Sequence, residues 1–510
     1  MTPLRSLQRV DNRETVPSPR FATPGGPGYT ATVPPRTGDI LDLRIDTLAY
    51  GGQGIARDDD FVVFVRGAVP GDRVRAQVTR RKQRHADARL LEIVEPSDSR
   101  VPAPCGHAGD CGGCEWQTIA YETQLAYKQR QVVESLEHIG GLREYELEPI
   151  RGMDQPWRYR NKMEFSFGES DGRLVLGLHR RGSWRDVVET TDCHLASARM
   201  NGARQSVADA CRTLGLPAYD RTAGRHESPP GLLRHLVVRE ARSSGDLALN
   251  LYVSSRFADE VKLAAYVRDA CEATSFGVTV NASRADAAVG DGPHLLFGPP
   301  HLREHLAGID LAVPLTAFLQ TNSQMCETLY ATALRFAAAA GDREAYDLYC
   351  GIGSLSLPLA RAACQVHAIE IQEEAIVAAR ENARRNAIAN VAFRAGDVRR
   401  LLKEIVEATG VLSEAGEPRH ADDDDHGPHD ERPAVVLVDP PRAGMARKAL
   451  QRSAALGAKR FVYVSCNPTT LAGNGAELRE LGYRLVRVAP VDMFPQTHHV
   501  ETVALFQRDA

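Results

Sequence analysis

The sequence predicts a multidomain α/β protein: a carboxyl-terminal doubly wound, Rossmann-like domain, a mixed α+β centre and an amino-terminal β-barrel of the OB type. Three observations carry this. Residues 311–510 alternate short apolar runs (AYDLYC, QVHAIEI, VAFRAG, AVVLVDP, RFVYVSC) with segments of helical length, the pattern of a mainly parallel sheet. Residues 37–96 pack five short alternating runs between Gly, Asp and Pro signals such as YGGQG and VPGD, the spacing of a small barrel. Between them, EFSFGE, LVLGLHR, LLRHLVVRE and ALNLYV read as strands of a mostly antiparallel centre over 97–310. A chain of 510 residues also exceeds what one core can organise.

Taken in order, residues 1–36 are rich in Pro, Gly, Thr and Arg without apolar periodicity, and are expected to be a disordered tail. The tail lacks the apolar core of a secretory signal, and no apolar run is long enough to span a bilayer. A cytoplasmic protein with no membrane association is expected. The barrel segment 71–90 holds seven Lys/Arg against two Asp, so it is read as a phosphate-contacting patch rather than an ordinary solvated face. The net charge of −4 argues against a uniformly basic coat but not against such a patch. YETQLAYKQRQVVESLEHIG is predicted helical. Residues 412–433, with four consecutive Asp and three His, are expected to be an acidic disordered insertion that faces away from nucleic acid, not a metal site. Nothing marks an obligate protein partner, and a monomer is expected.

The chemistry gathers at strand ends, where open α/β sheets bind ligands. The run Asp347-Leu348-Tyr349-Cys350-Gly351-Ile352-Gly353 ends the first strand and leads into a helix, and its glycines let the backbone approach a ligand. Glu370 ends the next strand, placed to accept hydrogen bonds from two ribose hydroxyls. Position 356 is Ser rather than a third Gly. That favours a nucleoside without phosphates, such as S-adenosylmethionine, over a dinucleotide. Asp397 ends the third strand, either to reach an adenine or to cap the helix VRRLLKEI, and the two roles are compatible. In Asp439-Pro440-Pro441-Arg442 the prolines fix the backbone and aim groups into the cleft.

Cys466 follows the last parallel strand and precedes a helix start, with Asn467 as cap and Pro468 at the first helical position. A buried structural cysteine is the plain alternative. The position instead predicts a thiol shifted toward thiolate by the helix dipole. Such a nucleophile can add to C6 of a pyrimidine and make C5 reactive toward a sulfonium methyl. A base must then take the C5 proton, and Glu501, opening the final strand, is the candidate. A second cysteine group, Cys105, Cys111 and Cys114 with Cys193 downstream, has a donor set for zinc or for an iron–sulfur cluster. Its gaps differ from those of radical enzymes. The scattered Cys211, Cys271, Cys326 and Cys364 read as small buried hydrophobes.

Together the barrel, the cysteine quartet, DLYCGIG, VDPPRAG, VSCNPTTLAGN and HHVETVALF resemble the RNA 5-methyluridine (uracil-C5) methyltransferase family, in its iron–sulfur-containing 23S rRNA branch. The resemblance spans roughly residues 38–510. It implies that the barrel is a TRAM RNA-binding domain and that Cys105, Cys111, Cys114 and Cys193 hold a [4Fe-4S] cluster. It also implies an S-adenosylmethionine site from Gln320, Tyr349, Gly351, Gly353, Ser354, Glu370 and Asp397, with Asp439 between donor and base. Cys466 would be the nucleophile and Glu501 the proton acceptor. The tail and the 412–433 insertion are not features of the family. The alternatives are a tRNA uridine-C5 methyltransferase, a base-amino methyltransferase suggested by the DPPR run alone, and a non-catalytic RNA-binding factor.

Overall fold

The computed structural model describes residues 35–58, 61–221, 231–283, 286–290, 292–338, 343–408 and 432–508. The tail expected over 1–36 lies outside these apart from its last two residues, and so does the acidic insertion expected over 412–433 apart from Arg432 and Pro433.

Five strands, β1 (Ile40–Leu48), β2 (Gly54–Asp58), β3 (Phe61–Arg66), β4 (Arg73–Arg81) and β5 (His85–Glu95), close into a barrel in the order β1-β2-β3-β5-β4. Only the β3–β5 pairing is parallel. Residues alternate between inside and outside, so Leu43, Ile45, Val63, Val65 and Val74 fill the interior. Part of the predicted basic patch is neutralised locally: Arg73 pairs with Asp42 and Glu95, and Arg75 with Glu92. Buried Asp72 accepts from Val69 N, Ser97 N and Arg100, tying the barrel to the chain that leaves it.

That chain passes through the cysteine loop into α1 (Tyr121–Glu134), and a short π-helical turn (Ser135–Ile139) continues it. A two-residue strand, β6 (Glu146–Leu147), follows. The centre is a seven-stranded sheet. It comprises β7 (Lys162–Ser170), β8 (Arg173–His179), β9 (Val187–Glu189), β10 (Leu233–Glu240), β11 (Leu247–Val253), β12 (Ser275–Val280) and β13 (His294–Phe297), in the order β13-β12-β11-β10-β7-β8-β9. All its pairings are antiparallel except β11–β12. Helices α2 (Ala198–Thr213) and α3 (Glu260–Ala270) bury their apolar stripes within its core.

A hairpin, β14 (His301–Leu306) and β15 (Ile309–Pro314), leads to α4 (Ser323–Ala337) and the doubly wound domain. The elements there are β16 (Glu344–Leu348), α5 (Ser356–Ala360), β17 (Gln365–Glu370), α6 (Glu373–Arg385), β18 (Val391–Ala395), α7 (Val398–Ala408), β19 (Val435–Val438), α8 (Arg447–Ala455), β20 (Arg460–Ser465), α9 (Pro468–Glu480), β21 (Tyr483–Val491) and β22 (Glu501–Arg508). The sheet order is β18-β17-β16-β19-β20-β22-β21-β6. β16 to β20 are mutually parallel, whereas β22 runs antiparallel to both β20 and β21. β19 is buried along its whole length, as expected for a strand covered on both faces.

Two expected boundaries move. A division at 310/311 would cut the β14–β15 hairpin, where His305 opposes Asp310. The hairpin is tied to the carboxyl-terminal domain, since Ala312 N donates to Asn382 and Asp310 N to Asn386 of the α6 end. Likewise β6, which lies far upstream, joins the edge of the carboxyl-terminal sheet beside β21. The β6–β21 pairing joins residues far apart in sequence, where local patterning carries no signal.

Candidate active site

The carboxyl ends of the parallel strands open on a cavity of about 730 Å³, lined by Gln320, Tyr349, Glu370, Asp397, Asp439 and Cys466 among others. That size suits a nucleoside-sized ligand. β16 delivers Tyr349 and Gly351, β17 Glu370, β18 Asp397, β19 Asp439 and β20 Cys466, while Glu501 enters from the start of antiparallel β22.

On the first side, Gly351 (φ +53°) sits on the cavity wall with open space where a Cβ would be. Its N–H donates to Glu370 Oε2 at 3.2 Å, and Gln372 N donates to Oε1 at 3.0 Å. These bonds aim the carboxylate along the strand end. Ser354 lines the cavity and exchanges a 2.8 Å hydrogen bond with buried Tyr330. Asp397 lines the cavity and caps the α7 start, where it accepts from Arg399 N at 2.8 Å. The Arg399 guanidinium, hydrogen-bonded to it, holds its acidity at a pKa of about 2. Gly353 stands behind the cavity wall: its positive φ (+81°) and tight packing, 3.2 Å from a built Cβ to Phe393, fit it to the turn that carries Gly351.

On the second side, Gln320 Nε2 donates to Asp439 Oδ2 at 3.3 Å. Gln320 is fixed in turn, because its carbonyl accepts from buried Asn161 at 2.9 Å. Asn467 caps α9 by accepting from Thr469 N, which places Cys466 at the helix start. Glu501 is buried (2 % exposed), and its Oε2 has no hydrogen-bond partner among the described residues. An orphaned carboxyl oxygen on a cavity wall is a group held ready for a ligand or a proton.

The surroundings of the Cys466 thiol oppose the thiolate expected from its place at a helix start. Burial, followed by the neighbouring Glu501 and Asp439 charges, pushes the Cys466 thiol up to about 12, and Arg442 opposes this only in part. Desolvation and two carboxyls outweigh one helix end. Burial raises Asp439 to about 7 against the Gln320 hydrogen bond, and burial with the Asp439 charge raises Glu501 well above the ordinary carboxylate range.

A stability prediction follows for Asp439. A raised folded-state pKa contributes stability that is complete below about pH 4 and is lost as pH rises through about 7. Asp439→Asn should accordingly stabilise the ligand-free protein at pH 8 by about 2 kcal/mol over the wild type, with the gap closing near pH 4. That is roughly half the full worth of the shift at 1.36 kcal/mol per unit, because the carboxyl still meets cavity water. Denaturant unfolding at both pH values checks it. A variant equally destabilised at both would contradict the buried charge cost.

The second cysteine group is assembled from two places. Cys111 pairs with Arg180 in a β-bridge, Gly112 N donates to His179 O, and Arg181 donates to Cys114 O, so the loop lies against the end of β8. Cys193 is held by Asn201, which accepts from its N–H, and by Arg158, which donates to its carbonyl. The thiols of Cys105, Cys111, Cys114 and Cys193 all influence one another electrostatically, and burial pushes Cys114 up to about 12. All four are free thiols. Among the described residues no group of three or more His, Cys, Asp or Glu closes around a single ion. A tetrahedral zinc needs its sulfurs about 2.3 Å from one point, whereas an iron–sulfur cluster takes each thiolate on a different iron and on a wider frame. Among the scattered cysteines, Cys211 and Cys326 are buried as expected; Cys364 is exposed and Cys271 only partly buried.

Some cavity residues escape sequence reading. Phe318 (66 % exposed) and Phe494 line the cavity beside Arg442 of the DPPR run. Tyr50, in the barrel's β1–β2 turn, lies behind them, close enough to feel Arg442, Cys466 and Glu501. Arg442 and Phe318 adjoin recognised motifs, but Tyr50 carries no signal in a turn otherwise read for its glycines.

Comparison with known proteins agrees with this architecture. Residues 309–509 match the family model described as tRNA (Uracil-5-)-methyltransferase, and residues 35–91 match the TRAM domain. An uncharacterized RNA methyltransferase of Caldanaerobacter subterraneus is 34% identical, with 92% of this chain and 99% of that protein covered. One of Gloeobacter violaceus is 38% identical, over 92% of this chain and 97% of that protein. The crystal structure of Pyrococcus abyssi tRNA (uracil-54, C5)-methyltransferase with S-adenosyl-L-homocysteine superposes with a TM-score of 0.68 at 23% identity, covering 91% of this chain and all of that one. With the motif residues gathered at one cavity, a TRAM barrel at the amino-terminal end and relatives matched along nearly their whole length, the chain belongs to the RNA (uracil-5-)-methyltransferase family.

Proposed function

We propose that the chain methylates C5 of one uridine in 23S rRNA through a covalent bond between Cys466 and C6 of the ring. One observation carries this reading: a cysteine at a helix start, a buried carboxyl with an orphaned oxygen and Asp439 share the wall of one cavity. S-adenosylmethionine supplies an electrophilic methyl group on a positively charged sulfur. Glu370 suits the ribose hydroxyls, Asp397 the adenine, and Gln320, Tyr349, Gly351 and Ser354 the rest of the donor surface. The donor's positive charge offsets the carboxyls that keep the Cys466 thiol protonated. Cys466 gives its proton to solvent and adds to C6 as the thiolate, which places electron density on C5 for attack on the methyl carbon. Glu501, ionised with the donor bound, then takes the C5 proton, and expulsion of the thiolate restores the ring double bond. A thiol reaches C6 only when the base has left its stack, so the uridine is flipped from single-stranded or loop RNA.

Cys105, Cys111, Cys114 and Cys193 hold a [4Fe-4S] cluster in this reading; four mutually close thiols suit it. The cluster and the barrel together support the ribosomal substrate, and the basic tip of the β4–β5 hairpin, Arg80, Arg81, Lys82 and Arg84, suits its phosphates. The protein acts as a cytoplasmic monomer. Transfer RNA is the second reading, favoured by the description of the matching family model. Incubation with deuteromethyl-labelled donor and unmodified 23S rRNA or tRNA, then nucleoside mass spectrometry, tests both. Labelled 5-methyluridine in the rRNA alone is expected. Label only in tRNA replaces the substrate, and label on a base amino group or none at all rejects the reaction.

A further inference from the structure

The segment 492–500, which delivers Glu501, is held from the chain that leaves the cysteine loop. Trp116 N donates to Gln496 O at 3.0 Å, Gln124 Nε2 donates to Gln496 Oε1 at 2.9 Å, and buried Lys128 Nζ donates to Asp492 Oδ1 at 2.6 Å. At the head of these contacts stands Glu115, the residue after Cys114. Its Oε2 accepts from His498 Nδ1 at 2.6 Å, a contact spanning 383 positions. The barrel closes on the same pair. Gly52, at φ +85° in the β1–β2 turn, lies so near that a Cβ there would stand 2.9 Å from Trp116 Nε1, 3.2 Å from Glu115 Oε2 and 3.4 Å from His498 Cβ. Cysteine loop, barrel and catalytic strand thus meet at one side-chain pair.

From His498 two short routes reach the cavity. Along the backbone, Glu501 is three residues on. Through the rings, His498 lies 4.1 Å from His499, and His499 lies 5.9 Å edge-on from Phe494, which lines the cavity. Glu501 itself has an unpartnered oxygen, so its orientation depends on how its strand start is fixed rather than on a side-chain bond at that oxygen.

We propose that the Glu115–His498 pair is a positioning element for proton removal: it transmits the seating of the cysteine loop and the barrel to Glu501 and Phe494. The proposal rests on the uridine-methylation reading above. Glu115→Ala in the full-length protein should lower kcat for uridine methylation about tenfold to thirtyfold, the effect of a slight misplacement of a reacting group, with KM for the methyl donor within about twofold. Hydrogen–deuterium exchange should quicken over 492–501, while iron content and thermal midpoint stay at wild-type values. Glu115→Gln keeps an amide oxygen for His498 and should restore most of kcat. Wild-type kcat in Glu115→Ala would overturn the proposal. So would a loss of kcat that tracks lost iron or unfolding and is not rescued by Gln. A wild-type protein that methylates no uridine removes the underlying reaction instead, and the proposal falls with it.

Discussion

Replacing Cys466 with Ala is expected to abolish uridine methylation, by about 10⁴-fold or more, while donor binding stays within a few-fold of wild type. The size follows from the ring chemistry. C5 of uracil is a poor nucleophile until a group adds at C6, so no partial reaction survives the loss of sulfur. Glu370, Asp397 and Gln320 stand apart from the thiol and keep the donor surface intact. Serine should fail nearly as completely, because its hydroxyl in the same half-buried, carboxyl-flanked position is a far weaker nucleophile than a thiol. Single-turnover methyl transfer alongside calorimetric donor binding separates the two effects. A Cys466→Ala protein of normal rate would point to a base-amino methyltransferase, which needs no nucleophile.

Glu501→Gln should behave in the opposite way toward the intermediate. Turnover falls by about 10²–10⁴-fold, the usual worth of a general base, yet Cys466 still adds to the ring and C5 still accepts its methyl group. Ordinary uridine RNA then accumulates as a complex stable to denaturing gels, which Glu501→Gln combined with Cys466→Ala cannot form. Burial that raises the Glu501 carboxyl well above its ordinary range makes it a strong proton acceptor once ionised. A Glu501→Gln protein that turns over at the wild-type rate would remove Glu501 from the reaction.

The sequence carried the parts of this architecture that are local. Apolar runs of strand length, interrupted by helices, made the parallel sheet legible, and Gly, Asp and Pro punctuation did the same for the barrel. Strand-end motifs located Asp439, Cys466 and Glu370 on one cavity because parallel strands put their carboxyl ends on one side. What stayed hidden depends on contacts across the chain. Glu115 gives no local hint that His498 is its partner, and the pairing of β6 with β21 joins segments hundreds of residues apart. The misreading of the Cys466 thiol has the same origin. Its helix start is visible in SCNP, but the burial that raises the thiol, and the two carboxyls that add to it, come from other parts of the chain. Gly353 shows the converse limit: a glycine in a ligand-loop motif serves the turn and its packing on Phe393 rather than the cavity.

RNA carrying 5-fluorouridine at the target position, incubated with methyl donor and the wild-type protein, offers the sharpest trial. Fluorine at C5 cannot leave as a proton does, so the ring should stay bonded to the enzyme after it has received its methyl group. Mass spectrometry of the digested complex should then find the peptide containing Cys466 joined to a methylated fluorouridine. A methylated fragment with no protein attached, or an attachment at any other residue, would contradict the account.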